Sequence, residues 1–439
     1  MPLSLRYMSV VSLFGLLFVL NSCRHYLGLA ACGGQKPAPD AINDTPSPVN
    51  ITLWTYPVGN WGNATTVAGV IADFSRKYPN INLSVDFLSY SDGDDKIEDA
   101  IASKNTPDLV LEGPERLSAN WGARGLMVDL SDLPFDRVQD SVLSACRSPE
   151  GAYYTYPICM TAHCMAINYD LFKAAGALQY IDTENHTWTT EGFISAVQAL
   201  DAYGVSNIAA IYCGGQGGDQ GTRALINNLY GGAFTTPEHD HYTVHTEPNI
   251  RALTLLRSLP GFQFDASMVG ENEVEQFCRG ELAMAFCWNA AIAINHTVNN
   301  PDLQFKIFPM AFPSPSGTPQ LVGGIWGFGI FDNGDPAKID AAKTFIRFIT
   351  ENNAQYTRAV QIANYWPVIR DIENIYVNDT LMTEYGAFMP FMGDYYQVTP
   401  GWAQARIAWW HMLQQIGTGT DISTATADFD VTANAAIGP

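Results

Sequence analysis

The sequence has few basic residues for its length. Its 439 residues include 23 lysines and arginines against 44 aspartates and glutamates, so the formal net charge is -21. A chain with this charge repels the phosphates of nucleic acids. We therefore expect no nucleic-acid partner.

The sequence also lacks the short motifs of several enzyme classes. G-x-S-x-G, H-E-x-x-H and G-x-x-x-x-G-K-[ST] do not occur, and these are the patterns of α/β-hydrolases, zinc peptidases and P-loop proteins. The acidic stretch 92–95 lacks the D-x-D-x-D-G order of a calcium loop, and the histidine-rich stretch 238–245 is better interpreted as a solvated linker. We predict no metal and no cofactor.

Cysteine usage indicates no disulfide framework. The eight cysteines form no C-x-x-C pair, and most of the six that lie after residue 48 are expected to be buried thiols. The chain is longer than the ~250 to 300 residues at which a single hydrophobic core stops growing, and 47% of its residues are apolar. Two domains are therefore expected.

The first 48 residues look like an export segment followed by a tether. Arg6 precedes an apolar run from Val10 to Leu20, which is too short to span a bilayer stably. We predict a signal peptide over 1–22, lipidation at Cys23, where L-N-S-C resembles a bacterial lipobox, and a lipidated tether over 23–48. Cys32, preceded by L-A-A, is the alternative. The expected location is outside the cytoplasm, anchored by lipid to the inner membrane facing the periplasm or to the cell surface.

Strands and helices alternate after the tether. Strand patterns at 50–56, 81–88 and 108–111 are separated by helical patterns at 66–78 and from Asp94 onward. This βαβαβ order predicts a parallel sheet. Open parallel sheets bind ligands at the carboxyl ends of their strands.

The loops that follow the three predicted strands contain Trp61, Asp92 and Glu112. Trp61 fits either a cleft wall or a core. Asp92 also opens an acidic helix start. We nevertheless take these residues as candidates for one cleft wall.

Residues 151–176 have the pattern of a crossover between two cores. The apolar run Cys159–Ile167 predicts one strand buried on both faces. Asp170 is placed to cap a short helix over 171–175, and Gly176 is placed to end it.

The same stretch carries a family resemblance. YPICMTAHCMAINYDLFKAAG at 156–176, followed by TWTTEGFISAVQAL at 187–200, resembles the signature of extracellular solute-binding protein family 1 of ABC importers. The resemblance implies an α/β, two-lobed periplasmic-binding-protein fold of type II with hinge crossovers. It places one lobe at 49–163 plus 324–372 and the other at 164–323 plus 373–439. It also implies a monomer, without enzymatic activity, that delivers a small-molecule ligand to an ABC permease.

Several further segments resemble the family and supply site residues. They are the helix, turn and strand at 271–289, the second crossover at 321–331, the aromatic-Pro segment at 362–369 and the start of the terminal helices at 399–410. With the crossover strand and the loops above, the candidate ligand-binding residues are Trp61, Asp92, Glu112, Thr161, Trp288, Asn289, Gly324, Trp326, Tyr365, Trp402 and Arg406.

The residue types in these segments favour a neutral sugar. Trp and Tyr give apolar plates for sugar C-H faces, and carboxylates and amides bind hydroxyls. A glycerol phosphate or phosphodiester is the alternative, because Tyr365 and the Gly323-Gly324 pair match that branch of the family. The loop 397–402 offers no basic residue, and Arg406 is the nearest substitute. Metal and peptide ligands rank behind both.

An enzyme is the alternative of another class. A glycoside hydrolase needs two carboxyl groups about 5 to 9.5 Å apart across a cleft. Glu112 and Asp92 are the pair that the sequence offers for this role.

Overall fold

The computed structural model describes residues 48–437 apart from 149, 216–217, 299, 301–302, 351 and 373. The predicted signal peptide, Cys23, Cys32 and the tether up to residue 47 lie outside the described residues. Residues 47–439 form one compact unit.

The strands are short and spread over the whole chain. They are β1 Val49–Thr55, β2 Ile81–Phe87, β3 Leu109–Glu112, β4 Tyr156–Ala162, β5 Cys164–Asn168, β6 Ala209–Tyr212, β7 Phe262–Asp265, β8 Met284–Trp288, β9 Ile307–Met310, β10 Gly323–Ile330 and β11 Trp366–Pro367.

The helices lie between and after these strands. They are α1 Ala64–Lys77, α2 Gly93–Ala102, α3 Pro114–Arg116, α4 Asp140–Cys146, α5 Tyr169–Ala174, α6 Thr190–Tyr203, α7 Gln220–Tyr230, α8 Glu247–Ser258, α9 Gly270–Cys278, α10 Ala290–Ala293, α11 Pro336–Thr350, α12 Asn353–Ala363, α13 Thr380–Gly386, α14 Trp402–Gly417 and α15 Ile422–Ala435. None of the helices within the described residues is long and apolar enough to cross a membrane.

A six-stranded sheet has the order β11-β4-β10-β3-β1-β2. β1 pairs in parallel with β2 and β3, which confirms the predicted βαβαβ unit. β10 comes from the second half of the chain and lies antiparallel between β3 and β4. Alternate residues of β1, such as Ile51 and Leu53, are buried, because one face of the sheet covers a core.

Two smaller sheets belong to the other half of the fold. β5 lies between β8 and β9, and β6 pairs in parallel with β7. Thr189 caps α6 by accepting a hydrogen bond from the amide of Gly192, as its sequence predicts.

The apolar side chains form two large clusters and a small one. One large cluster runs from Ile51 to Cys159 and from Trp326 to Ile369, with Ala291 added. The other large cluster includes Ala162 to Val322 and Tyr376 to Ala433, with Ala291 excluded. The protein therefore has the expected α/β fold of two lobes, here called the N-terminal and the C-terminal lobe.

The structure corrects the expectation for the crossover at 151–176. The predicted single strand is two strands, β4 and β5, which end and begin on either side of His163 and enter different sheets. The cap of α5 is Asn168, whose side chain accepts the amide of Leu171 at 3.0 Å. Asp170 accepts the amide of Lys306 instead, at 2.9 Å. Gly176 ends this segment at a φ of 70°, where a side chain would be strained.

Candidate functional site

A cavity of about 300 Å³ is lined by both lobes. The loops after β1 and β2 and the end of β3 contribute to it, as expected for the carboxyl ends of parallel strands. On the other side it is bounded by the starts of α7, α10 and α14. Its lining includes Gly59, Tyr90, Glu112, Glu115, Arg116, Trp326 and Tyr365 of the N-terminal lobe, and Gly218, Gln220, Cys287, Asn289, Ile292, Asn295 and Arg406 of the C-terminal lobe.

Aromatic rings form part of the wall on the N-terminal lobe. Trp326 and Tyr365 stack with 4.6 Å between ring centroids and 18° between planes. Trp326 folds over Gly324, where any Cβ would collide with the indole. Tyr90 stacks on Tyr56, with 5.4 Å between centroids. The two ring pairs provide an apolar surface of the kind that sugar C-H faces contact.

Glu112 is a buried carboxyl group at the end of β3. Its Oε1 accepts a hydrogen bond from Arg116 Nη1 at 2.8 Å, whereas its Oε2 has no partner among the described residues. Burial raises the pKa of Glu112 to about 8, against the opposing effect of Arg116, and the nearby Glu115 and Asp94 raise it further. The group therefore exchanges its proton near neutral pH and offers the cavity an unused polar atom.

Arg116 is held by a second carboxylate of the same lobe. Its Nε and Nη2 donate to the two oxygens of Asp94 at 2.7 and 2.9 Å. Asp94 also accepts from Tyr56 Oη at 2.5 Å. The charge of Arg116 is thus compensated within the N-terminal lobe.

Arg406 has an equivalent arrangement on the C-terminal lobe. Its Nε and Nη2 donate to the two oxygens of Asp219 at 3.1 and 2.7 Å. Arg223 also donates to Asp219, and its guanidinium lies 4.8 Å from the ring of Trp402. Asp219 thus binds two guanidinium groups at once, and because it carries only one negative charge, the group of three keeps one net positive charge.

Two further polar atoms at the cavity wall have no partner among the described residues. They are His163 Nε2 and Gln220 Oε1. Burial lowers the pKa of His163 to about 4, and the charge of Arg223 lowers it further, so the ring is neutral at pH 7. Buried polar atoms without partners cost about 1 to 3 kcal/mol each, so ligand hydroxyls or water would stabilise this wall.

Of the sequence-predicted residues, the cavity brings together Glu112, Asn289, Trp326, Tyr365 and Arg406. Asn289 caps α10 through its side-chain oxygen, which accepts the amide of Ile292 at 3.0 Å. These residues come from five separate chain segments.

Three predicted tryptophans lie in cores and do not line this cavity. Trp61 is fully buried and donates to the carbonyl of Ala359 at 3.0 Å. Trp288 is fully buried and donates to Tyr385 Oη at 2.6 Å. Trp402 is buried beside Arg223, among the aromatic rings of the C-terminal lobe. In each case the ring is packed in a core and lies outside the lining of this cavity.

The remaining predicted residues also fall outside the cavity lining. Asp92 is half exposed and forms an ion pair with Lys96 at 2.8 Å. Thr161 is fully buried and lies opposite Gly324 in the pairing of β4 with β10. Gly324 itself is absent from the lining, but the ring of Trp326 lies directly over it. Because Asp92 does not line the cavity, Glu112 and Asp92 do not flank a common ligand position.

Sequence reasoning missed several residues of the wall. Tyr90, Glu115 and Arg116 follow β2 and β3, so the rule of strand ends predicts their place although no motif marks them. His163 lies within the crossover segment 151–176, whereas Gln220 belongs to none of the segments named from the sequence, and only the three-dimensional arrangement shows that their polar atoms lack partners.

A larger cavity, about 610 Å³, lies on the C-terminal lobe. Its lining comes from 227–237, 314–322 and 393–396 and contains none of the predicted residues. Within the described part of the chain, no cluster of His, Cys, Asp and Glu is arranged to hold a metal ion. The six cysteines after residue 48 are buried and free.

Comparison with known proteins gives matches at the level of family and of fold. A family model described as bacterial extracellular solute-binding protein matches residues 60–356, well over half of the chain. A search of curated protein sequences gives no match.

Solved structures with the same fold include three bacterial receptors. The GacH receptor of Streptomyces glaucescens, solved free and with acarbose and an acarbose homolog, has a TM-score of 0.72 and 14% identity, covering 89% of this chain and 98% of its own. An ABC substrate-binding protein of Listeria monocytogenes, solved with cycloalternan, has a TM-score of 0.70 and 16% identity, covering 89% and 99%. A solute-binding protein of Agrobacterium radiobacter, solved with ribitol, has a TM-score of 0.68 and 19% identity, covering 89% and 99%.

Proposed function

This chain belongs to the bacterial extracellular solute-binding protein family, and from that premise we propose that it captures a neutral carbohydrate between its lobes for an ABC importer. One observation carries the proposal: the cavity between the lobes combines a stacked aromatic pair with polar atoms that lack partners. Such a surface is complementary to a molecule with apolar C-H faces and many hydroxyl groups.

The size of the cavity favours a small ligand. Small-molecule pockets occupy about 300 to 1,000 Å³, and this cavity lies at the lower limit with about 300 Å³. A monosaccharide or a short oligosaccharide is the ligand class that we propose. The solved proteins of the same fold bind related compounds, namely acarbose, cycloalternan and ribitol.

The pairing of the cavity arginines disfavours the alternative, a glycerol phosphate or phosphodiester. A phosphate group is bound by guanidinium groups or by backbone amides at helix starts. Arg116 and Arg406 line the cavity, but each already donates two hydrogen bonds to an aspartate of its own lobe. Tyr365 and Arg406 do lie at the cavity, so this alternative keeps a place in the ligand screen.

Hinge closure is the mechanism we propose for capture. We place the lobes at 49–163 plus 324–372 and at 164–323 plus 373–439, with crossovers near 163, 323 and 372. The division between the two large apolar clusters supports these positions. Closure of the lobes around the ligand would produce the form that the permease recognises.

The mode of attachment to the cell is a further part of the proposal. Export agrees with the extracellular family. We propose removal of 1–22, lipidation of Cys23 and a monomeric protein held by the tether 23–48 near the membrane subunits of the importer.

A ligand screen by thermal shift tests the proposed ligand class. Neutral sugars and polyols are compared with glycerol phosphate and glycerophosphodiesters, and a ligand at a hundred times its Kd adds about 2.7 kcal/mol to the free energy of unfolding. We expect shifts with neutral compounds only. Shifts with phosphate esters alone would instead establish the alternative.

Small-angle scattering tests the mechanism once a ligand has been found. Saturating ligand should reduce the radius of gyration, because the lobes approach each other. Identical scattering curves with and without a bound ligand would contradict hinge closure.

A further inference from the structure

Asp219 is a buried carboxylate at the edge of the cavity between the lobes. It precedes α7 and lies between Gly218 and Gln220, which both line the cavity. Its side chain is only 2% exposed. A charge so thoroughly removed from water must be compensated by partners.

Its partners are two arginines that approach from different helices. Arg406 of α14 binds both carboxylate oxygens, through Nε at 3.1 Å and Nη2 at 2.7 Å. Arg223 of α7 donates to Oδ2 and is itself fully buried. Burial opposes ionisation of Asp219, but the charges of Arg223 and Arg406 outweigh it and hold the pKa of Asp219 well below its usual value.

The bidentate contact between Arg406 and Asp219 has the geometry with which arginine binds the phosphate and carboxylate groups of ligands. Arg406 lines the cavity, whereas Arg223 is buried beneath the rings of Trp402 and Phe234. The protein's own carboxylate therefore takes the position on Arg406 that an anionic ligand would otherwise take.

We propose that Asp219 is a specificity-determining residue, which occupies Arg406 and thereby makes the C-terminal side of the cavity selective for neutral ligands over anionic ones. The proposal rests on the proposed function in one respect, that this cavity is the ligand site. It assigns Arg406 a positioned role, in which Nε and Nη2 are already used by Asp219 and are not offered to a phosphate group.

Replacement of Asp219 gives a test with a gain of binding as its readout. Calorimetry compares inorganic phosphate and glucose-6-phosphate on the wild type and on Asp219→Asn. The wild type should bind neither measurably, and the variant should bind glucose-6-phosphate tighter by roughly tenfold or more, because the guanidinium is then available for a charge-assisted bond. Unchanged phosphate-ester affinity in a folded variant would overturn the proposal.

A second substitution identifies the residue that is responsible. Adding Arg406→Gln to Asp219→Asn should abolish the gained binding, since it removes the arginine that lines the cavity. Asp240→Asn is the matched control, because Asp240 is an exposed aspartate of the same lobe. This control should bind no phosphate ester, and a gain there would show a general effect of net charge and contradict the proposal.

The loss of Asp219 leaves Arg223 buried without its carboxylate, which costs stability. If Asp219→Asn does not fold, the double variant Asp219→Asn/Arg223→Met removes both buried charges and keeps similar volume, and the same gain is expected. The wild type also gives an independent check. If it binds glucose-6-phosphate and Arg406→Gln loses that binding, Asp219 does not keep Arg406 from anionic ligands and the proposal is wrong.

The outcomes separate this inference from the proposed function. Gained phosphate-ester binding by a protein that binds no neutral sugar would support the role of Asp219 and contradict the carbohydrate proposal. A protein that binds a neutral sugar, but whose Asp219→Asn variant gains no phosphate-ester binding, would support the carbohydrate proposal and contradict the role of Asp219.

Discussion

The rings of Trp326 and Tyr365 stack face to face at the cavity with 4.6 Å between their centroids, although the two residues are 39 positions apart in the sequence. Trp326 lies on β10, and Tyr365 lies just before β11. Both strands pair with β4, so the sheet brings the two rings together. A rigid aromatic pair of this kind loses little conformational freedom when a ligand binds.

Trp326→Ala should weaken binding of a neutral sugar. The substitution removes the larger ring of the pair, and aromatic contacts at the centre of binding sites often contribute 2 kcal/mol or more, so we expect an effect on the order of tenfold to a hundredfold in Kd. Isothermal calorimetry measures it. Trp288→Phe is the control, because that ring lies in a core and should affect melting temperature without affecting Kd. The same loss of affinity in both variants would contradict the assignment.

Glu112→Gln should change the pH dependence of stability between about pH 5 and pH 8. The pKa of Glu112 is raised to about 8 by burial, so between about pH 5 and pH 8 the folded protein keeps a proton that the unfolded chain releases. The free energy of unfolding therefore falls as pH rises through this window. Urea unfolding at several pH values should give a flatter curve for the variant, as each pKa unit corresponds to ~1.4 kcal/mol.

Glu273 contributes a slope of the same sign, since burial raises its pKa to about 8 as well. Its carboxylate accepts the amides of Phe286 and Cys287, each at 2.8 Å, and Glu273 itself does not line the cavity. Glu112→Gln should therefore reduce the slope without abolishing it. Parallel curves for the wild type and the variant would show that Glu112 titrates normally.

His163→Gln should change the acid side of the same profile. Burial lowers the pKa of His163 to about 4, so the unfolded chain binds a proton between about pH 6.5 and pH 4 that the folded protein does not bind. The stability contributed by the neutral ring is complete above pH 6.5 and is lost as pH falls towards 4. The difference in unfolding free energy between wild type and variant should shrink over this range. A constant difference would mean that the ring is already protonated or accessible to water.

Cys23→Ser should release the protein from membranes. The apolar run that ends at Leu20 leads directly to this cysteine, and a lipidated protein loses its anchor when the acceptor is removed. Fractionation of cells that express the variant measures the effect, with Cys32→Ser as the matched control. Release by Cys32→Ser alone would assign lipidation to the alternative cysteine.

The βαβαβ unit and the two lobes were predictable from the sequence, because hydrophobic periodicity and a family signature carry that information locally. The split of the crossover strand was not. Cys159 to Ile167 is apolar or small apart from His163, and nothing in that composition indicates that one strand ends before His163 and another begins after it.

The site was predicted in part for a similar reason. Glu112 followed from the rule of strand ends, and Tyr365 from the family segment. The tryptophans were harder to place, since a Trp beside a polar residue has the same pattern whether its ring meets a ligand, as Trp326 is placed to do, or completes a core, as Trp288 does. Only long-range packing decides between the two outcomes.

The place of β10 in the large sheet has a consequence for how the protein is made. Leu111 in β3 lies opposite Phe328 in β10, so the strand that joins β3 to β4 in the large sheet is missing until three quarters of the chain has been synthesised. Pairings so distant along the chain form slowly, because a long loop must close before the contacts stabilise it. The nascent chain therefore remains without a finished N-terminal lobe throughout most of translation.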